Sequence, residues 1–171
     1  MGKVFERELK GILNASPEIL ARVTKTCSPD ERSGYQRIND KPFMVIRAAG
    51  SLGVDLVAIR EGLSLPIEVK SSTSAVLRFS RSEKLAIQAQ EMIDGCKRVE
   101  LMPIYAFRYK GKRGDAWRIF TLDIGSVNGR LRFIYERLPK IEPSREGNLI
   151  MRWKDGMPLS KFIDYIVSIQ S

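Results

Sequence analysis

The order of apolar and polar residues along the chain predicts helices at its two ends and strands between them. Apolar residues recur with a helical period in residues 3–13 and again in residues 159–167. From residue 42 onwards, short β-rich segments alternate with glycine-containing turns. The predicted strands cover residues 43–49, 54–59, 65–70, 104–108 and 117–122, with weaker strands at 131–136 and 149–153.

The connections between these segments predict the topology of the sheet. Short links between the first three strands predict an antiparallel meander. The sequence from Ser80 to Glu83 fits a capping box, so we expect a second long helix to begin there and to end at Gly95. That helix would cross over to the strand at 104–108. The resulting fold class is α/β, with a mixed β-sheet flanked by α-helices.

Residues 14–41 interrupt this pattern. They are polar and include the turn signal Ser-Pro-Asp-Glu-Arg-Ser-Gly, after a short helix expected at residues 17–23. We therefore expect a single domain over residues 1–171, in which residues 14–41 form a surface excursion between the first helix and the first strand.

The overall charge indicates which partners the chain can bind. The formal net charge is +9 at pH 7, which predicts attraction to polyanions and favours nucleic acid over an anionic membrane surface. No apolar segment approaches the roughly 20 residues of a membrane-spanning helix, and the N-terminus has no hydrophobic signal region. We expect a cytoplasmic protein with no membrane partner.

The residue types present limit the chemistry. The chain has no histidine, which excludes Ser-His-Asp and Cys-His catalysis and histidine-ligated metal sites. Cys27 and Cys96 are too few and too far apart for a disulfide framework, so we expect reduced thiols. Catalysis would then require carboxylates, lysines or a metal held by oxygen atoms, which favours magnesium or manganese.

Three charged residues interrupt two apolar strands. Asp55 lies between Val54 and Leu56, whereas Glu68 and Lys70 are two residues apart in the next strand and therefore point to the same face. Such groups would repel or desolvate one another unless a divalent cation and an anionic substrate joined them. The pattern indicates metal-assisted phosphodiester cleavage.

The first predicted helix carries two acids near its apolar face. On a helical wheel, Glu6 lies at the edge of the apolar arc beside Leu13, and Glu8 lies on the opposite border near Ile12. We expect Glu6 to lean towards the core and Glu8 to be the weaker candidate for a buried role.

These motifs, in this order, resemble the PD-(D/E)xK nuclease superfamily and, within it, the archaeal-type Holliday junction resolvases. The resemblance rests on Glu6-Arg-Glu-Leu, Arg47-Ala-Ala-Gly-Ser51, Val54-Asp55-Leu-Val-Ala and Ile67-Glu68-Val-Lys70. It implies a restriction-endonuclease-like fold. It also implies a homodimeric endonuclease that resolves four-way DNA junctions by paired, metal-dependent nicks.

The resemblance further implies roles for the residues at the motif positions. The metal ligands would be Glu6, Asp55, Glu68 and the carbonyl of Val69, with magnesium as the cofactor and manganese as a substitute. Lys70 would orient or deprotonate the attacking water and offset charge in the transition state. Ser51 would bond to the scissile phosphate, and Arg7 and Arg47 match positions that contact the DNA backbone.

Other basic residues are candidates for DNA binding because of their position alone. Arg78, Arg81 and Lys84 surround the predicted start of the second long helix, whose free amides could also hold a phosphate. Lys110, Lys112 and Arg113 form the tip of a predicted hairpin, although such clusters are most often simply solvated.

Several alternatives remain open at this level. The same superfamily includes nucleases for linear, flapped or foreign DNA, and a non-catalytic DNA-binding protein would also be basic. Glu68 and Lys70 could be an ion pair on an exposed strand, and Ser51 could belong to a tight turn. The apolar side of the last helix could seal the monomer core or pair with a second copy.

Overall fold

A six-stranded mixed sheet forms the centre of the protein in a computed structural model that describes residues 2–48 and 53–169. The strands are β1 Met44–Arg47, β2 Leu56–Arg60, β3 Leu63–Ser72, β4 Val76–Arg78, β5 Ile104–Tyr109, β6 Trp117–Phe120, β7 Glu142–Pro143, β8 Leu149–Arg152 and β9 Met157–Pro158. The helices are α1 Gly2–Leu13, α2 Pro17–Val23, α3 Pro29–Gln36, α4 Glu83–Val99, α5 Arg130–Arg137 and α6 Leu159–Ile169.

The main sheet has the order β1-β2-β3-β5-β6-β9, and β4, β8 and β7 form a smaller sheet. The pairs β1/β2, β2/β3, β5/β6 and β6/β9 are antiparallel, whereas β3 and β5 are parallel. The parallel pair requires a long connection, and α4 is part of it. The antiparallel meander, the crossover helix and the mixed sheet flanked by helices are therefore confirmed.

The limits of α4 differ from the prediction. Ser82 is the N-cap and makes no side-chain cap hydrogen bond, so the capping box predicted at Ser80 is wrong. Gly95 lies inside the helix, which ends at Val99 and has Glu100 as its C-cap, in a left-handed conformation with φ of 59°. The helix continues past the glycine because Met92 and Cys96, four residues apart, belong to its buried face.

The weak strand predicted at residues 131–136 is wrong, because α5 occupies these positions. Leu131, Ile134, Tyr135 and Leu138 are buried, and their spacing follows the helical period. Packing of this face against the core overrides the β-propensity of the aromatic and branched residues.

Residues 14–41, between the first helix and the first strand, form α2, α3 and a short 3-10 turn. The helix predicted at residues 17–23 is confirmed, and α3 begins with a capping box between Ser28 and Glu31. Tyr35 and Ile38 are buried in the core, and α3 packs against α6. Burying these apolar side chains gives the polar segment a fixed place in the fold.

The buried carboxylate of Asp115 ties this segment to the sheet and to α6. Its Oδ1 accepts a hydrogen bond from the Tyr35 hydroxyl at 2.6 Å and one from the Trp117 amide at 3.2 Å. Its Oδ2 accepts from the Ser160 amide at 2.9 Å. One side chain therefore joins α3, β6 and α6.

The terminal helix seals the core of the monomer. Its buried side chains include Phe162, Ile163 and Ile166. Cys27 and Cys96 are buried free thiols. Within residues 2–48 and 53–169, we find no helix that is long and apolar enough to span a membrane.

The contact between α3 and α6 gives a first testable prediction. A Cβ atom at Gly34 would lie 2.5 Å from the backbone oxygen of Ser160, whereas one at Gly95 in α4 would meet no atom within 4 Å. We expect Gly34→Ala to lower the free energy of unfolding by about 1–3 kcal/mol through overpacking. Gly95→Ala should raise it by roughly 0.5–1 kcal/mol, since alanine is the better helix former. Urea unfolding of both variants measures this, and similar changes at the two sites would contradict the close contact.

Candidate active site

Asp55 is held between two strands at one end of the sheet. Its amide donates to the carbonyl of Ile67 at 2.9 Å, and its own carbonyl accepts from Ala48 at 2.9 Å. Its side-chain Oδ2 accepts from the amide of Val69 at 2.7 Å. These bonds fix the carboxylate beside the Glu68-Val69-Lys70 segment of β3.

Glu68 and Lys70 lie on the same face of β3, as predicted. The Lys70 ammonium is 3.1 Å from Glu68 Oε1, and it donates to Oε1 of Gln88 on α4 at 3.3 Å. Because Glu68 is only 4% exposed, the alternative of an ion pair on an exposed strand is wrong. A buried, paired carboxylate on a sheet strand is costly for stability and is more typical of a functional site.

The electrostatics of Glu68 show the cost of this arrangement. Burial raises the pKa of its carboxyl from 4.5 to about 8, and Lys70 opposes this rise. A hydrogen bond and the negative charge of Asp55 raise the pKa further. The neighbouring Asp55 carboxylate therefore disfavours the charged form of Glu68, whereas Lys70 favours it.

Tyr105 closes the buried side of the site. It lies directly opposite Glu68 in the pairing of β3 with β5, and it is fully buried. Burial, followed by the charges of Glu68 and Asp55, raises the pKa of its phenol. Within the described part of the chain its hydroxyl has no hydrogen-bond partner, so it can bond to a water at the site.

The donor set fits a hard divalent cation. Asp55 and Glu68 supply carboxylate oxygens, and burial, the largest cause of the raised pKa of Glu68, disfavours its charged form unless a cation is added. Magnesium prefers oxygen ligands and usually retains several waters. Among residues 2–48 and 53–169, however, no three acidic or cysteine side chains are grouped closely enough to hold a metal.

Glu6 lies near this end of the sheet but does not complete a three-carboxylate cluster. Its Oε2 accepts from a guanidinium nitrogen of Arg47 at 2.9 Å. Arg47 lies opposite Leu56, one residue after Asp55. The role of Glu6 as a metal ligand stays a prediction, and in this structure it positions Arg47.

Glu8 is the more buried acid of the first helix, contrary to the prediction. It is 7% exposed and accepts from Arg108 Nε at 2.9 Å and Trp117 Nε1 at 2.8 Å through Oε1. The helical wheel could not show this, because both partners are about a hundred positions away in the sequence. Its neighbour Arg7 is exposed, as a DNA-contacting residue requires.

The remaining predicted residues are separated in the structure. Ser51 lies outside the described residues, as does the side chain of Arg81. Arg78 on β4 and Lys84 in the first turn of α4 are exposed. Their exposure is compatible with DNA binding, which stays a prediction for these positions.

The candidate site thus combines the carboxylate of Asp55, directly before β2, with the carboxylate of Glu68 and the ammonium of Lys70 on β3. The family model described as archaeal Holliday junction resolvase (Hjc) matches residues 22–137 of this chain. Since the match covers more than half of the chain, the chain belongs to this family, and the resemblance inferred from its motifs is confirmed. As a member of the family, it is a junction-resolving nuclease.

The family match leaves out α1 and α6, which lie before and after the matched residues. A similar solved structure is that of Archaeoglobus fulgidus Hjc, a Holliday junction resolvase from an archaeal hyperthermophile. It is 19% identical, with a TM-score of 0.46, and the match covers 71% of this chain and 81% of that chain. No curated protein matches the chain significantly.

The raised pKa of Glu68 predicts a pH-dependent effect of Glu68→Gln on the metal-free protein. The folded state holds a proton on Glu68 up to a pH of about 8, whereas the unfolded chain releases it above about 4.5. The wild-type free energy of unfolding should therefore fall by up to roughly 1.4 kcal/mol per pH unit between these values. Glu68→Gln has no carboxyl group to titrate at this position. Its free energy of unfolding should therefore rise relative to that of wild type as the pH rises.

Urea unfolding in chelator at about pH 5 and pH 9 measures the difference. Glu142→Gln, at an exposed glutamate of β7, supplies the baseline at each pH. If the free energies of unfolding of wild type and Glu68→Gln differed by the same amount at both pH values, the raised pKa of Glu68 would be contradicted.

Proposed function

We propose that this chain resolves four-way DNA junctions by two symmetric, magnesium-dependent nicks, each leaving a 5′-phosphate, with manganese able to substitute. Membership of the resolvase family supports the substrate. The observation that carries the chemistry is the buried Glu68 carboxylate beside Asp55, whose raised pKa favours neutralisation by a cation. The reducing cytoplasm suits the two buried free thiols and is the proposed compartment.

Asp55, Glu68 and the backbone carbonyl of Val69 would hold the metal. When bound, the ion supplies positive charge that polarises phosphate oxygens and acidifies water. The hydrogen bond from the Val69 amide fixes Asp55, and the ladder of β3 and β5 fixes Glu68. This rigidity keeps both carboxylates in place without reorganisation during the reaction.

Lys70 acts on the reacting groups. Its ammonium is held by Glu68 and Gln88, so it points to a defined position beside the two acids. From there it donates hydrogen bonds that orient the attacking water and offset the negative charge that develops on the phosphate.

Arg47 binds the DNA backbone near the scissile phosphate. Glu6 engages one guanidinium nitrogen, and the buried Nε of Arg47 has no partner within the described residues. A guanidinium fixed on one side can grip a phosphate through its other donors. Glu6 therefore contributes to substrate positioning in this proposal.

Asp55→Asn tests the nuclease proposal. We expect wild type with magnesium to place symmetric nicks in a labelled four-way junction and to leave a linear duplex of the same sequence uncut. Asp55→Asn should lower the nicking rate by at least about a hundredfold because it removes a metal ligand charge. Asp94→Asn, at an exposed aspartate of α4, is the matched control and should cut like wild type.

The other outcomes separate the alternatives. Equal cutting of junction and duplex would indicate a general nuclease of the same superfamily. Tight junction binding without cutting by wild type would indicate a non-catalytic DNA-binding protein. Nicking that persists in chelator would contradict the metal requirement.

A homodimer is part of the proposal, since a two-fold dimer presents two equivalent sites to the two equivalent strands of a junction. The outer face of β1 and β2 exposes Met44, Ile46 and Ile59, and Met44 pairs directly with Ile59. β1 also ends the main sheet. An apolar face at a free sheet edge is suited to a second copy of the chain.

Ile46→Glu should therefore convert the dimer to a monomer, because two buried carboxylates would face each other in the interface. Ile87→Glu on α4 is the matched control, since Ile46 is 49% and Ile87 50% exposed. Sedimentation velocity gives the oligomeric state of both variants. A dimer that survives Ile46→Glu would exclude this face as the interface.

A further inference from the structure

A polar cleft lies between α2 and the turn that joins β5 to β6. Its volume is about 200 Å³. Lining residues that carry charge or a hydroxyl are Glu8, Arg22, Thr26, Tyr35, Arg108 and Lys112. The cleft is smaller than pockets that enclose whole small-molecule ligands, which are typically about 300–1,000 Å³. It is therefore suited to a small charged group.

The charges around this cleft favour an anion. Arg108 donates to Glu8 at 2.9 Å, and Arg22 lies 3.8 Å from the same carboxylate. Lys112 is exposed and forms no ion pair within the part of the chain that the structure describes. Among the residues that line the cleft, three cations stand against one carboxylate, so the lining itself carries an excess of positive charge.

The two sides of the cleft are locked together. The Gly114 amide donates to Thr26 Oγ1 at 2.8 Å, and the Asp115 amide donates to Glu31 Oε2 at 3.3 Å. Arg108 is held further by a hydrogen bond of 2.8 Å to the carbonyl of Tyr109. The segment from α2 to α3 thus braces the basic turn, and the Thr26 hydroxyl keeps a proton that can be donated.

The cleft lies at the same end of the sheet as the active site. Lys70 is paired with Phe107 and Ser71 with Arg108, and the Lys110 amide continues the ladder by donating to Ser72 at 2.9 Å. Because side chains alternate along a strand, Arg108 points to the opposite face from Lys70. The cleft therefore lies beside the active site along the strands but on the opposite face of the sheet, so an arm of the junction held there would be contacted outside the active site.

We propose that this cleft binds a backbone phosphate of a duplex arm of the junction, outside the active site, through Arg22, Arg108 and Lys112. This inference rests on the proposed function, since it takes the substrate to be duplex DNA. The contacts carry no base information, so the cleft sets the register and direction of the arm. Glu8 positions Arg108 and Arg22.

The salt dependence of junction binding tests this proposal. Binding is measured in the Asp55→Asn background, where the DNA stays intact, over a range of salt concentrations. Loss of one phosphate contact should reduce the slope of log affinity against log salt by about one. In the proposed homodimer each variant loses this contact in both clefts, so quadrupling the salt should weaken binding by Arg22→Gln or Lys112→Gln about twelvefold less than binding by the parent.

Arg22 suits substitution because its side chain is 63% exposed, so its loss should not unfold the protein. Arg22→Lys should keep the slope of the parent, since it keeps the charge. Arg98→Gln is the matched control, because Arg98 is also exposed in the last turn of a helix, at the far end of α4. It should leave the slope unchanged.

An unchanged slope for Arg22→Gln would overturn the cleft proposal while leaving the resolvase function intact. A reduction of the same size for Arg98→Gln would also overturn it, because the effect would then reflect overall charge. A parent that fails to bind junctions at any salt concentration would instead contradict the proposed function itself.

Discussion

The parallel pairing of β3 with β5 sets the positions of Glu68, Lys70 and Arg108. It puts Glu68 opposite Tyr105 and Lys70 opposite Phe107. Because parallel strands need a crossover, it also brings α4 across the sheet, where Gln88 reaches the Lys70 ammonium. At its far end the same ladder positions Arg108 and the basic turn. A shift of one residue in this pairing would turn the site residues to the wrong face.

The site is stable only because the fold compensates for a costly group. The pKa of Glu68 is raised to about 8 by burial and by the neighbouring acid, and its only cationic neighbour among the described residues is Lys70. The rest of the domain supplies the stability, including the carboxylate of Asp115, which joins α3, β6 and α6. A destabilised acid pair held by a rigid scaffold is typical of a site prepared for a cation and a phosphate.

The helices α2 and α3 connect this scaffold to the basic turn between β5 and β6. The segment from α2 to α3 appears polar in the sequence, yet it buries Tyr35 and Ile38 and holds the β5–β6 turn through Thr26 and Glu31. The contacts that fix this segment in the fold thus also fix the basic turn for which we propose a role in DNA binding. Helices that brace a basic turn reduce the cost of ordering it when the DNA binds.

The sequence alone determined the local features of this protein. The period-two pattern put Glu68 and Lys70 on one face, and the spacing of the turns predicted the meander, the crossover and the place of Asp55. Tertiary structure decided the rest. Glu8 is buried because Arg108 and Trp117, distant in sequence, bond to it, and residues 131–136 are helical because the core accepts that face. Periodicity records the face of each residue, whereas the partner across the core depends on how the elements pack together.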